Sequence, residues 1–133
     1  MSANRLRINT IASNIANAET TKTEEGGPYK RRDVVFAATD VKAENFYSAL
    51  DQASLKSVKV AAVTVDDQPP RQVYDPGHPD ADPKTGVVLM PNINPVTEMA
   101  NMLSASAAYR AAAQVVSVTK EMSAAIRRLS ERL

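Results

Sequence analysis

Apolar side chains return along this chain in two rhythms. Between Pro95 and Leu133, the residues Met99, Met102, Tyr109, Ala113, Val116, Met122, Ile126, Leu129 and Leu133 recur at helical steps, with Glu98, Arg110, Lys120, Arg127, Arg128 and Glu131 between them. Such spacing predicts one long helix with an apolar seam on one face. A pattern sustained well beyond ~25 residues exceeds an ordinary core helix and indicates coiled-coil-like packing or an array, so this helix needs a partner. Ser2 to Ala18 repeats the rhythm on a smaller scale: Leu6, Ile8, Ile11, Ala12 and Ile15 fall on one side, Asn4, Arg7, Ser13 and Asn17 largely elsewhere. Asn9, Asn14 and Asn17 are poor residues for a helix interior, because their amides compete for backbone groups. Either they bond to a neighbouring helix or they line a solvated face with a fraying end; periodicity leaves both readings open.

From Thr20 to about Met90 the period shortens. Asp33 to Ala38, Val58 to Val65, Arg71 to Tyr74 and Gly86 to Met90 are short Val-rich runs, expected to form a small antiparallel sheet. Gly26-Gly27-Pro28 marks a turn before the first of them. Val41 to Ser57 reads as a brief helix on Phe46, Leu50 and Ala53 or equally as a long loop. The expected fold class is α+β. A discontinuous helical domain is formed by the two ends (1–21 and 92–133) around a small β-rich middle domain (22–91).

Composition narrows what such a chain can do. Aromatic residues are 5% of the 133 and Trp is absent, while Ala and Val carry much of the 44% apolar content. Small side chains suit close helix contacts but bury little area each, so a self-sufficient monomer is not assured. Sixteen basic and fifteen acidic side chains leave a formal charge of +1, which provides no field to steer the chain onto nucleic acid or anionic lipid. The absence of cysteine excludes disulfides, thiolate catalysis and Cys-ligated metal. No run of about 20 apolar residues is present to span a bilayer, and the first residues lack the pattern of a cleavable secretory signal.

Chemistry has one place to reside, the segment Tyr74-Asp75-Pro76-Gly77-His78-Pro79-Asp80-Ala81-Asp82-Pro83. Its prolines forbid regular structure. Asp75, His78, Asp80 and Asp82 have the donor types of a metal site. Their spacing matches neither a calcium loop nor a zinc site. A rigid turn with Asx-type bonds to the backbone is the favoured reading. His78 is the only histidine, no serine sits in a nucleophile elbow, and Gly26-Gly27 is too short for a phosphate loop. No enzyme and no cofactor are therefore expected. Lys30-Arg31-Arg32 beside Tyr29 is weak evidence for nucleic acid; a solvated strand edge, or pairing with a neighbour's carboxylates, is favoured.

The segment Ile11-Ala12-Ser13-Asn14-Ile15-Ala16-Asn17-Ala18-Glu19-Thr20-Thr21 resembles the N-terminal signature of bacterial flagellar rod, hook and related axial proteins. Further likeness to the proximal-rod members is carried by Gly26 to Arg32, Val34-Val35-Phe36, Val73 to Asp82 and Met90-Pro91-Asn92-Ile93-Asn94-Pro95-Val96, in order along nearly the whole chain. The resemblance implies a structural subunit of the drive shaft that crosses the periplasm. It implies terminal helices packed into an inner tube, export by the flagellar type III apparatus without a cleavable signal, and no membrane insertion. The partners implied are other rod proteins, copies of this chain, and adjoining basal-body and export-gate components. Nucleic acid and small-molecule substrates are not implied. The assembly contacts would come from Leu6, Ile8, Ile11, Asn14, Ile15 and Asn17 with Met99, Met102, Tyr109, Ala113, Val116, Met122, Ile126 and Leu129. Ala105, Ala108, Ala112 and Ala113 would permit close helix approach. Members of the family usually carry further residues ahead of the segment matching Ser2 to Leu6, and Val41 to Ser57 falls where the family varies, with no role assigned to it. The alternative is an export-linked adaptor or binding module that docks its long helix on a single partner. Titration calorimetry with divalent cations checks the loop: the turn reading expects no tight binding, whereas tight binding lost in His78→Ala would establish a metal site.

Overall fold

A stretch of alternating Ile and polar residues forms α1, Ser2–Ala16, which ends where Asn17 Nδ2 donates to Ser13 O at 2.8 Å. In the computed structural model, which describes residues 1–40 and 56–130, four strands and a second helix follow. They are β1 (Arg32–Asp40), β2 (Lys56–Val65), β3 (Arg71–Tyr74), β4 (Val87–Met90) and α2 (Pro95–Ser130). The α+β class is as expected. The possible helix on Phe46, Leu50 and Ala53 lies outside the described residues, as does Leu133, while Lys56 and Ser57 already belong to β2.

The strands form two separate antiparallel pairs, β1 with β2 and β3 with β4, rather than one sheet. In the longer pair Val34 lies opposite Val63 and Phe36 opposite Val60, with a bulge between Val35 and Phe36. The extra residue is Ala61 on β2, and it brings Val63 and Val60, three positions apart, onto the face that carries Val34 and Phe36 while adding twist. That face meets α1: Val34 is buried, Phe36 and Val60 are half-buried, and the Arg7 guanidinium sits 5.9 Å from the Phe36 ring centroid.

The second pair closes around a tight turn network. Asp75 and Asp82 side chains accept from the N–H groups of Gly77 (3.1 Å) and Lys84 (2.9 Å), two residues on in each case, which are the Asx bonds that make a proline-punctuated loop rigid. Gly86 closes it at φ +65°; a Cβ there would lie 2.9 Å from the Tyr74 ring. Gly26 and Gly27, both at positive φ, turn the chain ahead of β1, where Thr23 N–H donates to Gly27 O at 2.9 Å.

α2 starts sharply. Asn94 Oδ1 accepts from Val96 N–H (3.0 Å) and Thr97 N–H (3.3 Å), and Pro95 occupies the first helical position, where a missing N–H costs nothing. The two helices run antiparallel, Asn14 near the end of α1 meeting Glu98 in the first turn of α2. At 1.5 Å per residue, the 15 residues of α1 span about 22 Å and the 36 of α2 about 54 Å. α1 can therefore cover less than half of its partner.

Burial records that mismatch. Glu98 and Ala105 are buried, Asn101, Met102, Tyr109, Ala112 and Ala113 half-buried, whereas Val116, Met122, Ile126 and Leu129 are exposed. The apolar core comprises Ile11, Ala18, Val34, Val88, Ile93 and Ala105. Native-state hydrogen exchange should show the consequence: amides of α1 and of α2 up to Ala113 protected, and those from Val115 onward exchanging at least tenfold faster. Equal protection along the whole of α2 would contradict this division.

Candidate functional site

The two features that distinguish this structure are a buried polar clasp at one end of α2 and a bare apolar surface at the other. The clasp begins with Asn14, which has no exposed surface. A buried primary amide has two N–H donors and two acceptor positions to satisfy. Here all four are used. Nδ2 donates to Arg32 O at 2.7 Å and to Glu98 Oε2 at 3.1 Å; Oδ1 accepts from Arg32 N–H at 3.0 Å and from the Tyr29 hydroxyl at 3.3 Å. The amide thus engages both backbone groups of the first residue of β1, as a neighbouring strand would.

Glu98 is the charged partner, 2% exposed. Its Oε1 accepts from Arg31 Nε and Nη2, both at 3.0 Å, and the Arg31 guanidinium also reaches Asp33 Oδ2 at 3.3 Å. Burial lowers the Arg31 pKa, but the hydrogen bond and charge of Glu98, with the charge and hydrogen bond of Asp33, outweigh it and raise the pKa overall. Arg31 stays cationic, as a buried carboxylate requires. One residue from each of α1, α2 and the entry to β1 therefore meets at a single point.

Glu98 was expected among the polar positions between seam residues, and it is instead the most buried charge of the described residues. Of the three helix asparagines, Asn14 bonds across helices, Asn17 caps its own helix and accepts from Thr20 Oγ1 at 3.2 Å, and Asn9 is exposed. The basic cluster divides. Arg31 enters the clasp, Lys30 lies 3.7 Å from Asp67 at the surface, and Arg32 stacks over Tyr29 at 5.8 Å. Its carboxylate partners thus come from its own chain.

The expected single seam is split by the structure. Ile11 is buried and Ile8 and Ile15 half-buried, with Leu6 exposed at 38%. Across from them Met102, Tyr109 and Ala113 face α1, but Met99 points away at 54% exposure. Met122, Ile126 and Leu129 continue past the end of α1 into solvent. In the loop, His78 Nδ1 accepts from Asp80 N–H at 3.1 Å, and Asp80 Oδ2 accepts from Thr21 Oγ1 at 2.7 Å. Tyr74 is exposed, and Pro76 and Pro79 flank the turn at Gly77. Among the described residues no three His, Cys, Asp or Glu side chains gather as a metal set, and no helix is long and apolar enough to cross a membrane.

Two family patterns match these elements. Residues 1–22, which contain α1, match the flagella basal body rod protein family. Residues 84–129, which contain β4 and nearly all of α2, match the C-terminal region of flagellar basal body rod FlgEFG proteins. Flagellar basal-body rod protein FlgC of Borreliella burgdorferi is 40% identical over 132 residues, spanning 92% of this chain and 85% of the relative. The FlgC proteins of Escherichia coli O6:H1 and Salmonella typhimurium are each 39% identical, spanning 92% of this chain and 84% of theirs. This chain belongs to the FlgC family. Both family patterns fall on the helical ends and on β4, leaving β1, β2 and β3 outside them.

Removing Glu98 leaves Arg31 and Asn14 with unmet bonds in a closed site. Glu98→Ala should cost about 2–3 kcal/mol in denaturant unfolding, below the figure for a fully buried pair because Arg31 keeps Asp33 and is 24% exposed. Asn14→Ala should cost a similar amount. A double-mutant cycle should show coupling between the two; additive losses would mean that the clasp is not one unit.

Proposed function

We propose that this chain is a structural subunit of the bacterial flagellar basal-body rod. Its membership of the FlgC family supports this reading. The single observation that carries it is the length mismatch: α2 runs about 30 Å past α1 and takes Val116, Met122, Ile126 and Leu129 into solvent. A monomeric functional protein has no reason to hold that surface bare, whereas a subunit that packs among neighbouring helices does.

In the finer form of the proposal the chain sits in the proximal rod, where the rod crosses the periplasm. It leaves the cytoplasm through the flagellar export apparatus without a cleavable signal. Its neighbours are other rod proteins, copies of itself, and adjoining basal-body and export-gate components. The helical ends, 1–21 and 92–133, form the inner tube and residues 22–91 the outer domain. Leu6, Ile8, Ile11, Ile15, Met99, Met102, Tyr109, Ala113, Val116, Met122, Ile126 and Leu129 make the helix contacts. Head-to-tail contacts repeated about an axis give an open array, which is how one kind of chain builds a tube. The clasp has a mechanical role in that setting. A force applied to the β strands reaches α2 through the Arg31–Glu98 pair and reaches α1 through Asn14, so the three elements move as one body.

The test uses a strain lacking its own FlgC, complemented with Val116→Asp/Ile126→Asp. Both sites are exposed, so the purified variant should keep its fold, within about 0.5 kcal/mol of the parent. Motility and rod assembly should be lost. A motile strain with normal rods would refute the assignment of α2 to assembly.

A further inference from the structure

The clasp is fastened unequally on its two sides. Among the described residues, and apart from the Asn94 cap that starts the helix, every side-chain hydrogen bond and ion pair that ties α2 to the rest of the chain ends on Glu98. The side between α1 and β1 holds more bonds. Asn14 exchanges two with the backbone of Arg32, at 2.7 and 3.0 Å, and the Tyr29 hydroxyl lies 3.3 Å from both Asn14 Oδ1 and Ser13 Oγ. The Arg31 guanidinium serves its two acids from separate groups: Nε and Nη2 face Glu98, whereas Nη1 reaches Asp33 on its own strand.

These contacts decide what each way of opening the clasp would strand. If α2 lifts away by itself, Glu98 passes into water, Asn14 keeps its bonds to Arg32 and Tyr29, and Arg31 keeps Asp33. No group loses its last partner, so the penalty for an orphaned buried donor or acceptor is avoided. If the two helices leave β1 together, Asn14 gives up Arg32 and Tyr29, and the first residue of β1 loses the partner of both its backbone groups. Apolar burial points the same way. α2 brings one fully buried apolar residue to the packing, the small Ala105, whereas the ribbon brings Val34 with half-buried Phe36 and Val60. We propose that α2 is a leaf that opens alone, pivoting about the link between buried Ile93 and exposed Asn94, while α1 stays fastened to β1. The one-body response to force belongs to the closed clasp. Opening lets the long helix be repositioned without dissolving the contact between α1 and the strands, and it is a property of the chain whatever the chain assembles with.

The chain has no cysteine, so spin labels can be placed at chosen pairs of sites. Ala62→Cys on β2 is combined with Ser104→Cys on α2 in one variant and with Asn9→Cys on α1 in another, all exposed positions. Label separations are followed by double electron–electron resonance at increasing urea. The separation between positions 62 and 104 should broaden at a lower urea concentration than that between 62 and 9. Glu98→Gln should raise the open fraction about tenfold in the first pair and leave the second unchanged. Should that substitution unfold the chain, the order of broadening in the two label pairs without it still decides. Simultaneous broadening means that the helices leave as a unit, and earlier broadening of the α1 pair means the reverse order. Either result, or both pairs broad in water, would overturn the proposal.

Discussion

The meeting of Asn14, Glu98 and Arg31 is the contact on which the rest of the structure depends. Three elements that are distant in sequence have few large apolar residues with which to hold one another. A small core of Ile, Val and Ala supplies attraction without direction. Hydrogen bonds in a closed site supply direction, because a buried donor or acceptor that misses its partner costs a few kcal/mol. Asn14 can satisfy its four positions only if α1, β1 and α2 stand in one register. The clasp thus sets geometry where apolar burial alone would leave it loose.

What it fixes is deliberately partial. The clasp joins α1 to the first turn of α2, and Ala105, 1% exposed, lets the two backbones come close one step further on. Beyond Ala113 the long helix has no partner among the described residues of its own chain, and its length follows from the local pattern. Average helix stability in water comes from packing of one face, so the outer part of α2 is the least secured portion of an otherwise anchored element. A subunit built this way presents a fixed base and an unsatisfied end, which suits growth by addition onto neighbours.

Much of the fold was legible in the residues themselves. The long helix was marked by the seam from Met99 to Leu129, the short one by Leu6, Ile8, Ile11 and Ile15, and each Val-rich run became a strand. The loop aspartates were legible for a local reason, since an Asx bond joins residues only two apart. The clasp was half legible. Asn14 stood out as a poor helix residue, but Glu98 did not, because an acid in the first turn of a helix complements the helix dipole at the surface and needs no other explanation. Its partners lie 84 and 67 residues away, and no local pattern points to them.

Sequence by itself determined which segments are helix, strand or turn, and which side of each is apolar, because periodicity follows from backbone geometry within one element. Only the tertiary structure decided that the strands pair as two ribbons and not one sheet, that Met99 faces away from α1, and that the apolar seam of α2 divides into a covered and a bare part. Those outcomes depend on which faces meet. That is set by relative helix lengths and by one buried hydrogen-bond network, neither of which is a property of any single stretch of chain.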